Sequence, residues 1–276
     1  MAPNEGIEIT ATGSVHLSLQ GKGGVGKSLV ASILAQYLNR KALAVRCIDS
    51  DPVNKTLSQY KGLRTAPLPL LREGGIDQRA FDGLMEELLT TDGVFVVDNG
   101  ASTFIPLWNY ILENNVHELL RAAGKRLFVH TVITGGQALA DTLNGFGQLA
   151  ESTSDQNIVV WVNEYFGRVE RDGKQFLDMK VFEDNAQKVC GTVAITRRNQ
   201  DTFGRDIEDM VSQKLTFDEA IRDGHFTIMT KQRLRVVQRD LFEQLAIRFV
   251  GARAELDVTD TTGSFHDAHL SGAVHD

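Results

Sequence analysis

The sequence is short of the features that mark secreted, membrane-embedded or fibrous proteins. Of its 276 residues only two are cysteine, Cys47 and Cys190, and only five are proline. Two thiols in so long a chain give no disulfide framework and suit a reducing compartment, where a buried thiol behaves as a small apolar side chain. Nowhere do about 18 apolar residues run together, and the segment Met1 to Ser14 has no basic start followed by an apolar stretch, so neither a membrane span nor a secretory signal is expected. Excess positive charge is missing too: 29 Lys+Arg stand against 36 Asp+Glu, for a net charge of -7. A generally basic nucleic-acid coat is excluded, and contact with DNA would need a local patch. These absences predict a cytoplasmic protein with no integral membrane association.

What is present is an ordinary globular composition, 42% hydrophobic and 24% charged, long enough for one large α/β domain. Short apolar runs alternate with longer segments of helical periodicity, the pattern of a parallel sheet built from strand-helix-strand units. Strands are expected at Val15–Gln20, Leu43–Asp49, Val94–Asp98, Arg126–Ile133, Asn157–Asn163 and Thr192–Thr196. The fold class is therefore α/β: a doubly wound, mostly parallel sheet with helices on both faces. The best helix is Ser28–Arg40. A second runs from Met229 to Val250, with Leu234, Val237, Leu241 and Leu245 as its apolar stripe and Lys231, Arg235 and Arg239 on another. Leu63 to Gly75, with Pro67, Pro69 and paired glycines, reads as a loop without its own core, a candidate lid. The domain is expected to span 14–252, after a flexible 1–13 and before a disordered tail at 253–276, whose three histidines read as solvated.

The decisive motif is Gly21-Lys22-Gly23-Gly24-Val25-Gly26-Lys27-Ser28, which fits G-x-x-x-x-G-K-[ST] between a strand and a helix opening at Ser28-Leu29. Glycines let successive N–H groups turn inward on phosphates, and the helix N-terminus adds partial positive charge. Lys27 would reach the β- and γ-phosphates, and Ser28 would ligate magnesium. Ligands of open parallel sheets sit beyond the carboxyl ends of the strands, which directs Asp49, Asp98 and Asn163 to the same place. A lone strand-end Asp is more often a turn or helix cap; three of them beside a phosphate loop favour chemistry. Asp51 is the first choice for positioning water, with Asp49 and Asp98 on the magnesium shell.

Lys22 ahead of Gly23-Gly24 makes the loop resemble the deviant Walker A motif of the ParA/MinD family of P-loop ATPases. Cys47-Ile48-Asp49-Ser50-Asp51-Pro52 resembles that family's strand ending in D-x-D-P, Val94–Asp98 its Walker B strand, and Asn163 its adenine-contacting Asn. The resemblance implies ATP/ADP and Mg2+ as ligands. It also implies a homodimer formed with ATP, in which Lys22 reaches the partner's phosphates. Asn99-Gly100-Ala101 departs from many relatives at the second switch. The strings Leu17-Ser18-Leu19-Gln20 and Cys47 to Asn54 resemble the TraL-type ATPases of conjugative plasmids, which implies a role in plasmid transfer or partition and a protein partner there.

The expected function is thus a slow, partner-stimulated ATPase switch. The alternative is a P-loop small-molecule kinase or ATP-dependent ligase, which would need a substrate pocket under Leu63 to Gly75. An iron-sulfur reductase fails on its cysteines, since Cys47 lies inside a strand and Cys190 precedes one. Arg197, Arg198, Lys231, Arg235 and Arg239 form a candidate patch for non-specific DNA, with a solvated helix face as the plainer reading.

Overall fold

The computed structural model describes residues 7–9, 13–41, 43–72, 75–153 and 155–251. In chain order the elements are β1 (Ile7–Ile9), β2 (Ser14–Ser18), α1 (Lys27–Arg40), β3 (Val45–Asp49), β4 (Ala66–Pro67), β5 (Leu71–Arg72), β6 (Gly75–Ile76), α2 (Ala80–Thr90) and β7 (Val94–Asp98). Then come α3 (Phe104–Glu113), α4 (Val116–Ala122), β8 (Arg126–Thr134), α5 (Leu139–Glu151), β9 (Ile158–Asn163), β10 (Glu170–Arg171), β11 (Lys174–Gln175) and α6 (Lys180–Glu183). The chain continues with β12 (Val189–Ile195), α7 (Arg205–Ser212), α8 (Phe217–Arg222), α9 (Ile228–Arg248) and β13 (Phe249–Gly251).

Seven strands form one sheet in the order β12-β9-β8-β2-β7-β3-β4, every neighbouring pair parallel. Because side chains alternate across a strand, the sheet divides the apolar residues between two cores. Val94, Val96, Phe128 and Trp161 pack with Val30, Leu34 and Leu38 of α1 and Leu234 and Leu241 of α9. Val15, Leu17, Phe95 and Val97 pack on the other face with Phe81 of α2, Leu107 and Ile111 of α3, Leu120 of α4 and Phe146 of α5. The expected stripe of α9, including Val237 and Leu245, is buried. Both sheet edges are blunted against stray pairing. β4 is two residues long and includes Pro67. On β12 the Gln244 amide of α9 pairs with the Ala194 N–H at 2.7 Å and its carbonyl at 3.0 Å.

Two expectations are revised. The candidate lid is not a free loop: Ala66–Pro67 joins the sheet beside β3, β5 and β6 form an antiparallel hairpin, and Leu63 and Leu70 are buried. The expected flexible start contains Ile7–Ile9, paired in parallel with Phe249–Gly251. Residues 1–6 and 10–12 and the expected tail at 253–276 lie outside the described residues.

Candidate functional site

Strand register creates the site. Ser18 on β2, Asp98 on β7 and Asp49 on β3 are side by side at the carboxyl ends of three adjacent strands. The chain leaves β2 there and loops into α1. Gly26, the residue before α1, has φ 104° and packs so closely that a Cβ would lie 2.9 Å from the Asn163 Nδ2; only glycine meets both demands. Asn163 itself is 2% exposed and donates to the Val25 carbonyl at 3.0 Å, while its oxygen accepts the Tyr165 N–H at 3.1 Å. It ties the end of β9 to the loop.

Within the loop Lys27 is buried, and its Nζ donates to the Lys22 carbonyl at 2.9 Å. Burial lowers its pKa, opposed by Asp98 and Asp51. The three carboxylates have separate environments. Asp49 is committed to the backbone, accepting the Asp51 N–H at 3.1 Å and the Ser58 N–H at 2.8 Å. Asp51 accepts the Val53 and Asn54 N–H groups at 2.9 and 3.1 Å and abuts Gly100, where a Cβ would fall 2.8 Å from its Cγ.

Asp98 is 1% exposed, and neither carboxylate oxygen has a hydrogen-bond partner. Burial pushes its carboxyl up to about 7, and Asp49 and Asp51 add to the shift. The Ser28 hydroxyl and Lys27 ammonium oppose it without closing a hydrogen bond of good geometry. A buried carboxylate with both oxygens orphaned is costly unless a cation or donor completes it. Beside the Ser28 hydroxyl it suits magnesium, which takes few protein ligands, keeps waters and shares the substrate's phosphates. Among the described residues no group of three or more His, Cys, Asp or Glu converges on a metal position.

A cavity of about 550 Å³ opens over the loop. Of the residues singled out in the sequence, Gly23, Gly24, Gly26, Lys27, Ser28, Leu29, Asp51 and Asn163 line it. Gly21 adjoins the ring of Phe104, and Val25 is in the core. Lys22 turns away: its Nζ pairs with Asp141 of α5 at 2.7 Å, both side chains about half exposed. Sequence reasoning missed Asp141 and the cavity wall of Tyr165, Phe166, Ile207, Glu208 and Val211, and noted Gly100 only as a departure from relatives. The aromatic pair two residues after Asn163 was the one local signal; Asp141 and Glu208 are ordinary helical acids.

The basic patch is also rearranged. Arg198 is held by Asp240 at 2.7 Å. Arg235 and Arg239 instead line a groove with Arg40 of α1 and Lys41 just after it, beside Tyr37 and Phe242. Lys231 does not line it. Among the described residues, no helix is long and apolar enough to cross a membrane.

The profile of the CobQ/CobB/MinD/ParA nucleotide binding domain matches residues 18–246. Protein TraL of Escherichia coli is 47% identical over 232 residues, which cover 84% of this chain and 96% of that protein. Among solved structures, the MinC:MinD cell division complex of Aquifex aeolicus aligns at 16% identity with a TM-score of 0.49, covering 83% of this chain and 96% of that one. A ParA family ATPase from Chlorobium tepidum TLS aligns at 14% identity with a TM-score of 0.46, covering 82% and 98%.

Proposed function

The chain belongs to the CobQ/CobB/MinD/ParA family of nucleotide-binding domains, and from that premise we propose that it is an ATP-operated switch. It binds ATP with magnesium, dimerises, hydrolyses slowly and reopens. Its product is a change of state read by a partner. The observation that carries this reading is the buried Lys27 resting on a carbonyl of its own loop, beside the orphaned Asp98 carboxylate. Both groups lack the partner that a magnesium triphosphate supplies.

Each residue then has a task. Lys27 exchanges the Lys22 carbonyl for the β- and γ-phosphates, and the α1 N-terminus faces the same anion. Ser28 and Asp98 would hold the magnesium, which would supply positive charge against the phosphate oxygens. Asp51, held between its own turn and Gly100, positions the attacking water. Asp49 fixes that turn through the Asp51 N–H and stands behind the metal shell without entering it. Asn163 anchors the loop at the base end. Lys22 leaves Asp141 and reaches the phosphates of a second subunit, adding positive charge where the transition state needs it.

The relation to TraL supports a role in plasmid transfer or partition with a protein partner, and the location is the cytoplasm. Non-specific duplex DNA is the partner suited to the Arg40, Lys41, Arg235 and Arg239 groove. The kinase or ligase alternative would need a substrate pocket under Leu63 to Gly75, and none of the described residues of that segment lines the cavity over the loop. Equilibrium binding of a fluorescent ATP analogue tests the core of the reading. Wild type should bind with magnesium and Lys27→Ala should lose binding; undiminished affinity in Lys27→Ala would refute the phosphate-loop assignment.

A further inference from the structure

The part of the cavity wall built by α7 and by the residues after β9 has a composition of its own. Phe166 is 55% exposed yet borders the cavity, and its ring stands edge-on to Tyr165 with centroids 5.1 Å apart. Ile207 and Val211, one turn apart on α7, form the opposite apolar wall. Flat apolar walls with few polar groups suit a planar ring system. The polar groups there can be sorted by what they already do. Asn163 serves Val25 and Tyr165, and the Ser212 hydroxyl donates to the Asp209 carbonyl at 3.0 Å. The carboxylate of Glu208 remains, an exposed acceptor on the cavity wall.

We propose that Glu208, on the cavity wall with Tyr165, reads the exocyclic amine of the nucleotide base and so contributes to base specificity at this site. The inference rests on the ATP reading above and deepens it. A carboxylate accepts only, so it selects a base that presents N–H donors. Burial raises the Tyr165 pKa and the neighbouring Glu208 carboxylate adds to the shift, as expected for two side chains on the same stretch of cavity wall.

The test compares ATP with purine riboside triphosphate, which keeps the ring and triphosphate and lacks the amine, by calorimetric titration with magnesium. Wild type should prefer ATP about tenfold, as suits one hydrogen bond to a charged acceptor that is partly in water. Glu208→Ala should bind both nucleotides equally, at the affinity wild type shows for the analogue. Glu208→Gln, which keeps an acceptor oxygen, should retain part of the preference. Full discrimination in Glu208→Ala, or none in wild type, would overturn this inference and leave the phosphate site standing. Failure of wild type to bind either nucleotide would overturn both.

Discussion

At the residue scale, Asp51 and Gly100 make a pair that neither sequence spacing nor residue type announces. Asp51 opens the turn after β3, Gly100 follows β7, and parallel pairing of those strands brings them into contact. Gly100→Ala places a methyl where the Asp51 carboxyl now lies, so the water-positioning group must move while the phosphate loop stays in place. Displacements of about 1 Å at a reacting group cost on the order of a hundredfold. Phosphate release should therefore fall by one to two orders of magnitude, with ATP affinity within about twofold of wild type. Equal loss of binding and turnover would show that Gly100 supports the loop instead. The phosphate loop itself was legible in the sequence, because glycines at fixed offsets have one economical explanation. Gly100 was visible only as a departure from relatives, since its reason lies across the sheet.

At the element scale, the ion pair between Lys22 and Asp141 ties the phosphate loop to α5. If dimerisation draws Lys22 into a partner's site, this contact must break first. Exposed pairs are worth about 0.2–1 kcal/mol, so Asp141→Asn should lower the ATP concentration for half-maximal dimerisation by at most about fivefold. An increase would mean that Asp141 helps the closed state.

A second element-scale prediction comes from three neighbouring strands. Trp161 of β9 donates its Nε1–H to His130 Nδ1 at 3.0 Å, His130 lies 2.9 Å from His16, and His16 lies 2.9 Å from the Ser14 hydroxyl. Both imidazoles are buried, and burial lowers His130 to about 3 and His16 well below 6.5. Between those values and 6.5 the unfolded chain binds more protons, so this contribution is complete above pH 6.5 and is lost on acidification. Asp98, raised to about 7, opposes this between about 4 and 7, but with one proton against two. The urea midpoint should therefore fall from pH 7 to pH 5, by about 1.4 kcal/mol in stability per net proton and pH unit. A midpoint that is flat or rises on acidification would contradict the buried neutral pair. Strand positions were legible because strands covered on both faces read as apolar runs. The two-residue β4 and the β5–β6 hairpin carry no such run, and Pro67 and Pro69 disguised them as loop.

On the scale of the whole molecule, charge and the nucleotide cycle are coupled through geometry. The net charge of -7 leaves DNA contact to the groove between α1 and α9, on which two closed subunits would present twice the cationic side chains. Duplex retardation should require ATP. Each lost phosphate contact removes about 0.9 from the slope of log affinity against log salt, so replacing Arg235 and Arg239 together should flatten it by about 1.8 per subunit without changing ATP hydrolysis. If wild type with ATP retards no duplex at low salt, the groove is a solvated face and the partner is a protein. The groove's Arg40 and Lys41 escaped the sequence reading because helical periodicity relates residues within α9, whereas the basic surface is shared with a helix some 200 residues earlier in the chain.

The central claim, an ATP-closed dimer that depends on Lys22, is tested most directly by the mass of the particle. Sedimentation velocity with ATP and magnesium should show wild type shifting from monomer to dimer, and Asp51→Ala, which binds without turnover, accumulating as dimer. Lys22→Ala should bind ATP with near wild-type affinity and remain monomeric. A Lys22→Ala protein that dimerises like wild type, or a wild type whose mass ignores ATP, would contradict the account.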